Sequence, residues 1–191
     1  MIFTRQSISE VVLIEPEVHG DDRGYFCETF RQDKFEESIG YKVSFIQDNE
    51  SKSSKGVLRG LHFQLPPFAQ SKLVRVIQGD VLDVAVDIRI GSPTFGQHVS
   101  VVLSGDNKKQ LFVPRGFAHG FVVLSETAIF SYKVDNYYSA ENDRGLSFDD
   151  ESLAIDWHLP KNELKLSGKD SVLPGIKELE PSFYFSENYY G

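Results

Sequence analysis

The chain has 191 residues, 40% hydrophobic and 25% charged, which is enough apolar material for one sizeable core and excludes a disordered polyelectrolyte. Its 28 Asp and Glu against 20 Lys and Arg give a formal net charge of -8, which argues against nucleic acid as a partner. Any anionic ligand must therefore be met by a local group of basic side chains, and the single cysteine, Cys27, excludes an intramolecular disulfide.

In chain order, no charged-then-apolar leader precedes the first strand-like segment, Val11 to Ile14. Asp33 to Ser38 has the marks of a short helix, with Asp33 as N-cap, Glu36 three residues on and Gly40 just past the end. Strand-like runs follow at Val43 to Gln47, Val57 to Phe63, Leu73 to Ile77 and Val81 to Ile90. Others lie at Val99 to Leu103, Leu111 to Val113, Phe121 to Leu124 and Ala128 to Val134, with Gly, Pro, Asn and Asp between them. Within Leu82 to Arg89, Leu82, Val84, Val86 and Ile88 alternate with Asp83, Ala85, Asp87 and Arg89, a period of two that specifies strand. Gly91-Ser92-Pro93 ends that strand, and Ser104 to Asn107 reads as a hairpin connection. A second short helix is expected near the C-terminus. The pattern predicts an all-β sandwich or barrel of antiparallel strands with a few short peripheral helices, residues 1–191 forming one domain. The single cysteine and the missing leader fit a reducing cytoplasm, and no run approaches the ~18 apolar residues of a membrane span, so a soluble protein is expected.

Pro114-Arg-Gly116-Phe-Ala-His119 resembles the second motif of the cupin jelly rolls, in which that histidine binds metal together with a His-x-His pair. Here the corresponding region offers only Leu61-His62-Phe63, and no two of the five histidines stand at ligand spacing, so no metal site is expected. The chemistry is left to side chains. Singly, His62 reads as a satisfied core histidine, Lys72 as a solvated edge charge and Tyr132 as an inward aromatic. Together they suit proton transfer at carbon: an imidazole removes a proton, an ammonium stabilises the enolate oxygen, and a phenol returns a proton from the other face. Asp83 and Asp170 both qualify as the carboxylate that would orient His62, and periodicity does not choose between them. Arg23 and Arg59, each beside a glycine, suit phosphate, and Tyr137-Tyr138 suits stacking on a base. Strict alternation puts Arg59 and His62 on opposite faces of one strand, so both reach one pocket only if Gly60 marks a bulge or the strand starts later.

Seven segments in this order resemble the dTDP-4-dehydrorhamnose 3,5-epimerase family from about Val11 to Ile176. They are Asp22 to Glu28, Gln47 to Asn49, Gly56 to His62, Lys72 to Val76, Pro114 to Gly120, Tyr132 to Val134 and Ser167 to Asp170. The resemblance implies a homodimeric cupin-type jelly roll without metal or cofactor, whose substrate is a dTDP-4-keto-6-deoxy sugar. It implies His62 as base, Asp170 as its partner, Lys72 as enolate stabiliser and Tyr132 as acid. For the nucleotide it implies contacts from Arg23, Phe26, Glu28, Gln47, Asn49, Arg59, His119, Tyr138 and Lys169, some across the dimer, with Phe26 and Tyr138 as thymine platforms. Asp143, a further substrate contact, departs from the glutamate that the family often has there. Two other readings stand beside this one: an epimerase of a single carbon or a ketoisomerase, and a non-catalytic nucleotide-sugar-binding cupin. The first would label one carbon from heavy water instead of two; the second has little need for a base, an ammonium and a phenol together.

Overall fold

The structure, a computed structural model, describes residues 1–190. The strands follow in chain order: β1 (Ile2–Arg5), β2 (Val12–Glu15), β3 (Val18–Asp21), β4 (Gly24–Cys27), β5 (Gln47–Ser54), β6 (Leu58–Gln64) and β7 (Lys72–Gln78). After them come β8 (Asp80–Asp87), β9 (His98–Ser104), β10 (Gln110–Val113), β11 (Phe117–Val123), β12 (Thr127–Val134) and β13 (Asp143–Gly145). They form one sheet in the order β1-β2-β10-β7-β12-β5, a second in the order β13-β6-β11-β8-β9, and a separate β3-β4 hairpin. All of these pairings are antiparallel. From β5 to β13 the chain crosses repeatedly between the two sheets, which makes the fold a jelly roll.

Three apolar layers hold it together. Between the sheets, Val74, Val76 and Phe130 meet Val81, Ala85 and Phe121, and the Phe121 and Phe130 rings stack with centroids 4.0 Å apart. Outside the first sheet, Phe35 and Ile39 of helix α1 (Gln32–Ile39) cover Val12, Ile14, Leu73 and Phe112. A helix of eight residues is unstable alone, so α1 depends on this packing. Outside the second sheet, Leu58, Leu82, Val84 and Val122 lie beneath Phe148, Trp157, Ile176 and Phe183 from the C-terminal segment. No helix among the described residues is long and apolar enough to cross a membrane.

The structure differs from the sequence-based expectation at several elements. The expected strand Val43 to Gln47 lies outside the sheets except for its last residue; the strand runs from Gln47 to Ser54 instead. Its sequence is wholly polar, so hydrophobic alternation gives no signal for it. Ser104 to Asn107 does not join a hairpin, because β9 belongs to the second sheet and β10 to the first. Helix α1 starts one residue before Asp33, with Arg31 at the N-cap, and Asp33 pairs with Arg31 instead of capping. Gly40 does close it in the left-handed conformation, at φ 90°. Among the described residues the C-terminal region has 3-10 turns at Lys161–Glu163, Asp170–Val172 and Ile176–Glu178 and no α-helix. Along β8 the alternation is as expected, but both faces are covered, and Asp83 and Asp87 are fully buried.

Arg59 and His62 reach one side of β6 through an irregularity at Gly60. His119 of β11 pairs with His62 and Phe121 with Arg59, so two steps on β11 match three on β6. Gly60 sits at φ 129°, and a Cβ there would lie 2.5 Å from the Gly120 Cα and 2.9 Å from the His119 carbonyl oxygen. Both atoms are backbone and cannot step aside cheaply. We expect Gly60→Ala to lower stability by about 3 kcal/mol, the sum of strain and overpacking, in denaturant titration. An unchanged midpoint would show that the β6 bulge does not need glycine.

Candidate active site

His62 stands on β6 of the second sheet, whereas Lys72 and Tyr132 stand on β7 and β12 of the first. Tyr132 pairs with Val74, and Val134 with Lys72, which turns both side chains toward the space between the sheets. All three line a cavity of about 450 Å³ and an adjoining one of about 300 Å³. The imidazole therefore faces the phenol and the ammonium across the jelly roll.

Asp170 reaches this site from the 3-10 turn Asp170–Val172, where the Ser167 hydroxyl accepts the Asp170 N–H at 3.1 Å. Its carboxylate lies 2.6 Å from His62 Nε2 and is 4% exposed. An ionised carboxylate accepts here, so Nε2 carries the proton and Nδ1 is left with the lone pair. The arrangement fixes the tautomer that a base requires. Asp83 instead lies 3.0 and 2.9 Å from His119 Nε2 through its two oxygens, and both of these residues are buried. The two carboxylates thus divide between two histidines, which are themselves cross-strand neighbours.

Burial holds the His62 pKa below its usual 6.5, with the nearby Lys72 charge acting in the same direction and Asp170 opposing both. His62 is accordingly neutral at pH 7 and able to accept a proton. Burial also brings Lys72 down to about 8, against the pull of Asp143 and Asp83. Tyr132 moves the other way: burial raises it, Asp143 adds to the rise and Arg59 offsets part. Its phenol keeps its proton through the neutral range. The site therefore contains a neutral base and an acid still holding its proton, with an ammonium close by.

The expected binding residues fall into three groups. Arg59 and His119 line the larger cavity, and Arg59 contacts the Ser53 hydroxyl at 3.3 Å. Gln47, Asn49, Tyr138 and Asp143 line the smaller one, where the Tyr138 hydroxyl donates to Asp143 at 3.1 Å. Lys169, at the larger cavity, forms an ion pair with Asp143, so the shorter acid still joins the two sides of the site. Arg23, Phe26 and Glu28 stand apart, on or just after the β3-β4 hairpin, and line neither cavity. Phe26 is 70% exposed there, and Arg23 pairs with Asp21.

Sequence reasoning missed Glu50, Ser51 and Lys165 at the larger cavity and Gln64 and Gln70 at the smaller. Lys165 arrives through a parallel bridge to Val57, a pairing with no local sequence signal. No three His, Cys, Asp or Glu side chains converge as a metal-binding group among the described residues.

The family model described as dTDP-4-dehydrorhamnose 3,5-epimerase matches residues 5–178. A Shigella flexneri dTDP-4-dehydrorhamnose 3,5-epimerase is 56% identical over 180 residues, covering 94% of this chain and 97% of that protein. Among solved structures, a Legionella pneumophila dTDP-6-deoxy-D-glucose-3,5-epimerase in complex with dTDP-4-keto-L-rhamnose is 46% identical at a TM-score of 0.93, covering 97% and 99% of the two chains. A 4-keto-6-deoxy sugar epimerase from the novobiocin gene cluster of Streptomyces spheroides is 33% identical at a TM-score of 0.92, covering 97% and 94%.

The lowered Lys72 pKa can be read directly. Isotope-labelled lysine followed by NMR should show one ε-ammonium titrating at about 8 and lost in Lys72→Arg. If every lysine titrates near 10.5, Lys72 is solvated and the cavity is wetter than its packing indicates.

Proposed function

The chain belongs to the dTDP-4-dehydrorhamnose 3,5-epimerase family, and from that premise we propose that it converts dTDP-4-dehydro-6-deoxy-D-glucose to dTDP-4-dehydro-L-rhamnose. The conversion inverts C3 and C5, and both carbons adjoin the C4 ketone. A proton on either is acidic because the electron pair it leaves passes to the ketone oxygen as an enolate.

His62 Nδ1 takes that proton, and Asp170 stabilises the imidazolium that forms. The Lys72 ammonium faces the enolate oxygen, where one well-placed donor contributes about 10²- to 10³-fold in rate. Tyr132 then gives a proton to the opposite face of the carbon, and solvent resets the phenolate and the imidazolium. The reaction moves protons alone and is redox-neutral, so each role is assigned to a side chain and none to a cofactor. One observation carries this reading: the neutral base and the protonated phenol lie on opposite sheets and face one cavity.

At the nucleotide end, Arg59, His119 and Lys169 supply the cationic and hydrogen-bonding groups for the diphosphate, and Tyr138 a stacking face for thymine. Arg23, Phe26 and Glu28 serve the partner's site in a homodimer. The β3-β4 hairpin supports this assignment, since it leaves Val18, Tyr25 and Phe26 exposed, with the Lys108 ammonium over the Tyr25 ring. Residues 1–191 act as one catalytic domain.

The coupled test supplies the 4-keto-6-deoxyglucose nucleotide, an NADPH-dependent 4-ketoreductase specific for the L-sugar and this protein; NADPH oxidation should require all three. His62→Ala should lower the rate by about 10²- to 10⁴-fold while remaining folded. A rate near wild type would make His62 structural. Tyr132→Phe deletes only the hydroxyl, so it should still wash deuterium into the substrate while inverted product falls sharply. Exchange and inversion falling together would assign Tyr132 to abstraction or geometry instead. Sedimentation should give a dimer at micromolar concentration, and a fully active monomer would refute the shared site.

A further inference from the structure

A separate cavity of about 480 Å³ lies among Glu10, Tyr41, Arg89, Arg115, Phe185 and Tyr190. Its guanidinium groups are already matched: Arg89 bonds Asp87 and Glu10, and Arg115 bonds Asp135 and the Tyr189 carbonyl. An anion entering it would have to displace these bonds, so the cavity serves as a joint that holds the C-terminal segment. The Tyr190 ring packs on Tyr41 with centroids 4.4 Å apart, and the Arg115 guanidinium lies 5.2 Å from its centre. Its hydroxyl oxygen accepts the Arg115 N–H at 2.8 Å and stands 2.8 Å from the Ser71 hydroxyl oxygen. Ser71 is fully buried and donates its own N–H to Asp135 at 2.6 Å.

This cluster brackets one residue of the active site. Lys72 begins β7 and is paired with Val113 on one side and Val134 on the other. Ser71 directly precedes Lys72, Asp135 directly follows Val134, and Arg115 lies two residues past Val113. The Asp135 carboxylate links Ser71 to Arg115, and the Tyr190 hydroxyl joins the same two residues a second time.

We propose that Tyr190 is a positioning residue for Lys72: its hydroxyl locks the start of β7 and so sets where the ammonium enters the catalytic cavity. The proposal rests on the assignment of Lys72 as enolate stabiliser. Tyr190 lies in the C-terminal segment, outside the family-model match at residues 5–178.

The test compares Tyr190→Phe, Ser71→Ala and their combination in the full-length protein, with Lys72→Gln as control. Tyr190→Phe keeps the ring on Tyr41 and removes only the hydroxyl. We expect kcat about fivefold lower with KM changed less than about twofold. The alkaline limb of the pH–rate profile should also move upward from about 8, because water then reaches an ammonium that otherwise faces His62, Asp83 and Asp143. Ser71→Ala should do the same, and the double variant should lose no more than either single one. A variant that melts earlier but keeps wild-type kcat and alkaline limb overturns the proposal, as do additive losses in the double variant. Wild-type turnover in Lys72→Gln overturns the assignment of Lys72 itself, whereas an inactive Lys72→Gln beside a normal Tyr190→Phe overturns only the role of Tyr190.

Discussion

The 2.6 Å contact between His62 and Asp170 spans 108 residues, and much of the fold is needed to make it. β6 must carry its extra residue at Gly60, so that Arg59 and His62 both reach the cavity. The C-terminal segment must cross the outside of the second sheet, anchored by Phe148 and Trp157 ahead of Asp170 and by Ile176 after it, for the turn at Asp170 to reach His62. A buried carboxylate without a partner is costly, and a histidine without an orienting acceptor lacks a defined tautomer. Each removes the other's difficulty, and His62 lines the cavity with its Nδ1 left unpaired by Asp170.

Electrostatic opposition across the cavity follows from the same packing. Burial disfavours charge on any group, yet its effect on function differs with the group's sign. For His62 and Lys72 it lowers the pKa, leaving one a free base and the other an ammonium close to losing its proton. For Tyr132 it preserves the phenol. A single cause thus equips the site for taking a proton from one face and returning one to the other. The net charge of -8 makes the local grouping of Arg59, Lys72, Lys165 and Lys169 at one cavity more telling, since the rest of the molecule repels an anionic ligand.

Much of this was legible in the sequence wherever hydrophobic period or a local motif carried it. The alternation from Leu82 to Arg89 located β8, and the conflict between Arg59 and His62 left a bulge at Gly60 or a later strand start, of which the structure has the first. β5 was misplaced because Gln47 to Ser54 is polar throughout, its inward residues lining a cavity instead of filling a core. The link from Ser104 to Asn107 was misread because turn chemistry is local, whereas the choice of sheet is settled by long-range pairing. The same limit applies to the acids. Periodicity does not separate Asp83 from Asp170 and the family resemblance implies Asp170; the crossing of the C-terminal segment is what places one carboxylate on His119 and the other on His62.

The central claim is that one base and one opposed acid act on two carbons beside the same ketone. Running the wild-type reaction in deuterium oxide and locating the label by NMR tests it most directly. The account predicts deuterium at both C3 and C5 of a product with the L configuration, trapped by the reductase. Label at one carbon only, or inversion without label from solvent, would contradict it.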